Sequence, residues 1–464
     1  MAVTVIAALA VAVVLKRVPV GWAPFVLLAA PAAVIALVFA RSAGPRWVAA
    51  VFIAATFLGA YRATTSVGRV NLRATDIAFV ALVAWVLALR PLGKMGTDIG
   101  QRQIGLLLGV MGLSLVPVLI VHPGQFFSPL VSWLRLVQTF SLAWLIPYFV
   151  RDRPQRRFVL RAVAWAAAAE LVRAIGDAAL HHGFVHRLTG GNGTDTEGLL
   201  AAVLIVSVLY GNFPARRWAR FLLLALGVAG LALTRSVGAV VAVCLVVGLV
   251  QPVRKDELIK RALLRPLRIV LLVLAAIVAV VSLRPQNLPS SSNFNEGTTE
   301  VRLMAGAAGL VVFAHHPVLG VGFGRSADPT ILDTPQTSAP LHRWFPGQPP
   351  SFYPDGQNLS SVHNAYIQTA AEEGLVGLAA LLLVAFAVGS RLRTVRRSLA
   401  DVGDRADFQW AFCMLAAVLI WWNDNPLYGA QPETVTAAVA IGVLGSFWAR
   451  GSGRRAGVAA TTAA

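Results

Sequence analysis

The stretch "SVHNAYIQTAAEEGLVGL", residues 361–378, starts as a polar turn and ends as apolar helix, with His363 and Asn364 at the seam and Glu372 and Glu373 inside the apolar run. A carboxylate at membrane depth is costly, so it marks either an ion pair or a functional group. From His363, the positions Ile367, Ala370, Gly374 and Gly377 recur at helical spacing and form a small-residue stripe suited to close contact with a second helix. Glu373 lies ten residues beyond His363, about 15 Å down the axis at 1.5 Å per residue, too deep to serve the same atom. It is expected to pair with an arginine or to cap backbone groups inside a bundle.

The rest of the chain supports a membrane setting. Its 464 residues are 57% hydrophobic and 13% charged, too apolar for a soluble domain of this length. The net charge of +19 would suggest nucleic acid in a soluble protein, but 25 of the 40 lysines and arginines fall in seven short segments between apolar runs. That distribution follows the positive-inside rule and excludes nucleic acid as a partner. Apolar runs near 2–15, 22–40, 47–61, 74–90, 103–121, 130–150, 158–180, 198–213, 221–234, 236–251, 269–283, 366–389, 408–422 and 434–449 then alternate consistently. Several fall short of the ~20 residues a span needs, so the expected architecture is an all-α polytopic bundle of about 12 to 14 transmembrane helices. Both termini are expected in the cytoplasm of a multi-pass cell-membrane protein. The first run lacks a basic n-region and reads as a short helix instead of a removed signal peptide. Cys244 and Cys413 sit in apolar runs and read as packing residues.

The expected division is N-terminal membrane helices over 1–283, one long extracytoplasmic loop over 284–362, C-terminal membrane helices over 363–450 and a disordered cytoplasmic tail over 451–464. Within the loop, "TTEVRLMAGAAGLVVFAHHP" predicts a helix that starts at Thr298 or Thr299 and stops at Pro317. Arg302, Ala305, Gly306 and Gly309 share one face, where small residues permit close approach and would hold the arginine in place. The turn "GVGFGR", 320–325, follows no strand and is no dinucleotide motif. It reads either as a tight turn without a ligand or as a phosphate cradle with Arg325 beside it.

A second outer segment, "HHGFVHRLTGGNGTDTE" at 181–197, carries histidines with Asp195 and Glu197. Such groups can ligate a divalent metal, but the spacing matches no defined site and a glycine-rich surface loop is the preferred reading. On the preceding helix Glu170, Arg173 and Asp177 are three and four apart and can pair with one another.

"RLMAGAAGLVVFAHHPVLGVGFG", followed by "HNAYIQTAAEEGLVGLAALLLV", resembles the signature region of the O-antigen ligase and polymerase superfamily of bacterial membrane glycosyltransferases. An arginine-bearing helix, a Pro-x-x-Gly-x-Gly turn, a long loop and His-Asn with Glu-x-Gly-x-x-Gly follow in that order. Weaker echoes lie at "NLRATDIAFV", at "WLRLVQTFSLAWLI" with Arg135, at "HRLTGG" with Arg187 and at "LALTRSVGAVVAV" with Arg235. The family usually carries Ser-Arg-Gly at the last of these, whereas here Arg235 is displaced by two positions.

The resemblance implies a GT-C-like fold of the cell envelope and transfer of a glycan from a polyprenyl (undecaprenyl) diphosphate to a glycan or lipid acceptor hydroxyl at the outer membrane face, among membrane lipids. The residues suit that chemistry. A diphosphate leaving group favours guanidinium forks, and the chain holds only four lysines, its other basic side chains being arginines. Arg302 is the first candidate for the clamp, with Arg187 and Arg235 behind it. A neutral imidazole at the water boundary can take the acceptor's proton, which assigns His363 as catalytic base. Asn364 and Tyr366 are candidates for orienting sugar hydroxyls or for interfacial packing. No cofactor and no metal are expected, and displacement of the diphosphate would invert the anomeric centre. Two alternatives stand: a repeat-unit polymerase with the same donor chemistry, and a transporter or flippase of lipid-linked or anionic solutes. Transporters tend to place charges at the midplane of repeated halves, whereas here the charges gather in one unrepeated outer loop.

Overall fold

The computed structural model describes residues 45–58, 64–67, 70–73, 75, 79, 83, 100–150, 152–182, 188, 194–211, 213–250, 299–348, 350, 353, 362–427 and 431–462. The runs expected at 2–15, 22–40 and 269–283, most of 74–90, and the candidate Arg187 lie outside these residues. The described chain is all-helical apart from a hairpin in which β1 (Thr64–Val67) pairs antiparallel with β2 (Val70–Arg73).

The helices follow the apolar runs, with local breaks. α1 spans Pro45–Phe57. The run expected at 103–121 is α2 (Gln101–Leu113) and α3 (Leu115–Val121), separated at Ser114, whose hydroxyl donates to the Met111 carbonyl at 2.7 Å. The run at 130–150 divides likewise into α4 (Phe127–Phe140) and α5 (Leu142–Phe149). α6 (Arg153–Asp177) is started by Asp152, whose carboxylate accepts from the Gln155 amide, and by a proline in its first turn. α7 (Thr194–Gly211) places Asp195 and Glu197 at its positive N-terminal end. α8 (Arg217–Thr234) and α9 (Val237–Leu249) meet at Arg235, which takes the left-handed conformation at φ 51° and lets the chain reverse.

Beyond these, α10 (Thr299–His315) ends two residues before Pro317, and the short helices α11 (Pro329–Leu332) and α12 (Pro335–Trp344) cover it. Leu332, Leu341 and Tyr353 close a small core with Val301, Met304, Ala308 and Val312. α13 (Ala365–Ser398), α14 (Val402–Trp421) and α15 (Gln431–Thr462) complete the bundle. The tail expected to be disordered continues α15 to Thr462.

The helices over 101–121, 127–149, 217–234 and 365–398 are long and apolar enough to cross a membrane. Leu113, Ile120, Phe221 and Phe386 stand more than two-thirds exposed on them, as a bilayer-facing surface requires. The main core is formed where α5, α6, α7, α14 and α15 pack together.

Candidate active site

α13 carries the first half of the site. Asn364 caps it by accepting from the Tyr366 and Ile367 amides at 3.0 Å each, while its own amide donates to the Asn423 carbonyl at 2.7 Å. The residue before the cap, His363, is held at φ 48°, a conformation that disfavours any side chain other than glycine. Tyr366 donates its hydroxyl to the Leu419 carbonyl at 2.9 Å and so braces α13 against α14.

The small-residue face of α10 explains how Arg302 reaches this point. A Cβ on Gly309 would meet Val362 at 2.6 Å and Ile367 at 2.8 Å, so only glycine allows α10 to lie directly on the start of α13. Arg302, two turns earlier on the same face, then bridges two carboxylates, donating to Asp195 and to Asp424 at 2.5 Å each. Asp195 comes from the first turn of α7 and Asp424 from the connection after α14. Asp424 also accepts from the Gly238 backbone amide, and its Oδ2 would lie 3.0 Å from a Cβ at that glycine. Gly198, one turn into α7, sits where a Cβ would lie 2.5 Å from the Ser236 side chain. Four helices thus converge on one charged cluster.

The electrostatics of the cluster are unusual. Burial, reinforced by the Arg302 charge and opposed by Asp195, lowers the His363 imidazole to about 4, so it is neutral at physiological pH. Burial raises the Asp424 carboxyl to about 6, with Arg302 pulling against it and Asp195 adding to it. Among the described residues, His363 Nδ1, Arg302 Nε, Asp195 Oδ1 and Ser236 Oγ are buried with no hydrogen-bond partner. A buried polar atom without a partner calls for an explanation. Arg235 is exposed at the α8–α9 junction, next to Ser236.

The other candidates are placed differently. The glycine turn expected as a possible phosphate cradle is folded around Glu372: Gly324 donates its amide to one carboxylate oxygen at 2.9 Å, and Ser326 donates its hydroxyl to the other at 2.5 Å. The Gly322 amide goes to the Glu372 carbonyl at 2.8 Å. The cradle therefore holds a carboxylate of the chain itself. Arg325 is buried and donates to Asp328 at 2.9 Å, which removes it from the cluster. Glu373 is fully buried, yet neither oxygen has a hydrogen-bond partner among the described residues, so the expected ion pair is not found there. Arg173 grips Glu170 with two bonds of 2.7 and 2.5 Å. Of the acids in 181–197, Asp195 faces Arg302 and Glu197 is buried along α7.

Asp424 is the residue that reading the sequence missed. Its one signal is an acid in the short polar segment "NDNP", 423–426, between two apolar helices.

The fold and the cluster define the class: a multi-pass helical membrane protein with a half-buried His–Arg–carboxylate cluster where several helices end. Residues 221–382 match the family described as O-antigen ligase, which covers Arg235, Arg302, His363 and the glycine turn. That segment is thus similar to O-antigen ligases, and the similarity supports a ligase- or polymerase-type role in glycan transfer. No curated protein matches the chain.

Proposed function

We propose that the protein transfers a glycan from a polyprenyl-diphosphate donor to an acceptor hydroxyl at the outer face of the membrane, with both termini on the cytoplasmic side. The observation that carries this reading is the neutral His363 beside Arg302, with an unpartnered buried Nδ1 available to a proton. In the reaction His363 accepts the acceptor's proton as the hydroxyl oxygen bonds to the anomeric carbon, and the diphosphate leaves with the electron pair of the broken bond. Attack opposite the leaving group inverts the anomeric configuration.

This reading divides the arginines between two tasks. Arg302 already holds two carboxylates, so the cluster of Arg302, Asp195 and Asp424 is net negative and a poor clamp for a diphosphate. Arg302 instead fixes the acids and keeps the imidazole unprotonated. In this reading the exposed Arg235, next to Ser236, neutralises the leaving group, and Arg187 is a second candidate. Guanidinium groups then do the work that a metal ion performs in other transferases.

The test is transfer by purified protein from a polyprenyl-diphosphate glycan. Turnover unchanged in excess EDTA, and reduced in Arg235→Ala mainly through donor binding, supports the reading. Activity lost in EDTA and restored by Mn²⁺ overturns the arginine mechanism. The glycan accumulated on polyprenyl diphosphate in a deletion strain sorts the acceptor: full-length polymer indicates a ligase, single repeat units a polymerase. Wild-type protein that moves lipid-linked glycan across vesicles without transferring it is a transporter.

A further inference from the structure

Gln368 lies one turn into α13 and is 3% exposed, with both ends of its side-chain amide engaged. Its Nε2 donates to Glu372 at 3.2 Å, and its Oε1 accepts from the Leu427 backbone amide at 2.9 Å. The first contact ties it to the carboxylate around which the glycine turn is folded. The second ties it to the connection that carries Asp424.

That connection is pinned by the start of α13. Ala365 donates its amide to the Trp422 carbonyl at 2.9 Å, and Asn364 donates to the Asn423 carbonyl, both before Asp424. After Asp424, the tie from α13 is Gln368 to Leu427. Asp424 is partly exposed, at 28% of its side chain, and must nevertheless meet Arg302 and the Gly238 amide together. Holding the connection on both sides of it fixes that geometry.

We propose that Gln368 is a positioning residue: it holds Asp424 against Arg302 and registers the Asp424 connection to the Glu372-centred turn. Gln368 touches none of the reacting atoms and acts through Asp424. The assignment rests on the function proposed above. It requires a side chain that accepts at one end and donates at the other, and glutamine is the long side chain that does both without charge.

The experiment compares wild type, Gln368→Met and Gln368→Glu as purified full-length protein. Methionine matches the volume and removes both bonds, whereas glutamate keeps the acceptor for Leu427. Gln368→Met is expected to lower kcat about tenfold or more while donor KM stays within about twofold, as a displaced catalytic group does. Hydrogen exchange gives a readout independent of activity: the Leu427 amide should be protected in wild type and Gln368→Glu, and exposed in Gln368→Met. Gln368→Glu is expected to retain more kcat than Gln368→Met. Leu427 equally protected in Gln368→Met, or wild-type kcat in that variant, overturns the inference. Wild-type protein without transfer refutes the proposed reaction instead, and the exchange data still decide whether Gln368 fixes the connection.

Discussion

Two arginine–aspartate clusters lie at opposite ends of α14, about 30 Å apart for a helix of its length. At its N-terminal end Arg153, Arg156 and Arg157 from the start of α6 meet Asp404 and Asp407. Arg156 is fully buried and lies over the Phe447 ring, 4.1 Å from its centre. At the C-terminal end one arginine, Arg302, meets two aspartates and is accompanied by a histidine in a strained backbone conformation. The first cluster has cations in excess, regular helical backbone and an aromatic ring beneath a guanidinium, which suits fastening α6 to α14 and α15. The second has acids in excess, a half-buried neutral imidazole and backbone strain. Ion pairing alone does not separate the two ends; the surplus charge and the strain do, and they favour the second as the proposed site.

The contrast can be broken experimentally, and the largest effect is expected at His363. Replacing it with alanine should lower turnover by about 10²- to 10⁴-fold, the range of a lost general base, with donor binding largely kept. Equal turnover in mutant and wild type would remove it from the mechanism. Arg302→Lys keeps the charge but cannot span Asp195 and Asp424 as a fork, so turnover should drop about 10²-fold in protein that still folds. Near-normal activity there would reduce Arg302 to a point charge.

A smaller effect is expected from pH. Asp424 takes up a proton below about 6, which weakens one arm of the Arg302 pair, while His363 stays neutral down to about 4. Turnover should therefore hold from neutral pH to about 6 and then fall, roughly tenfold per unit if ionised Asp424 is required. Asp424→Asn should remove that limb, and a limb that persists in this variant would assign it to another group. The smallest effect on turnover is expected at the other cluster. Asp407→Asn removes a carboxylate that faces Arg157 at 2.8 Å and Arg153 at 3.3 Å, and should lower the melting temperature while activity per folded molecule stays within about twofold. A large loss of specific activity would show that the two ends communicate.

The sequence made some of this visible and concealed the rest. The α10 face and the His363–Asn364 seam were legible because helical periodicity and small-residue spacing are local, and the structure packs Gly309 against Val362 and Ile367. Asp424 was not legible, because a short polar connection between apolar helices looks the same whether its acid is solvated or pairs with an arginine 122 positions away. The glycine turn was read as a possible anion site for a sound reason, since its amides do bind a carboxylate. Only the tertiary fold reveals that the carboxylate is Glu372. Gln368 resembled one more polar residue at a helix start until both of its partners were in place.

The break in α13 has a consequence for how the loop before it is held. At Gly374, with φ 66° and ψ −156°, the helix opens, and residues 317–322 fill the gap. Pro317 accepts from Leu375 at 2.8 Å, Val321 donates to Ala371 at 3.0 Å and Gly322 donates to Glu372. This backbone seam satisfies the broken helix from within the protein, as hydrocarbon surroundings demand. It also anchors the near end of the segment that leads to His363, whose far end is anchored where α13 starts. Its described part between those anchors packs on α10 through Leu332, Leu341 and Tyr353, so the seam at Gly374 locks a folded cover, and not a free strap, onto the helix that carries Arg302.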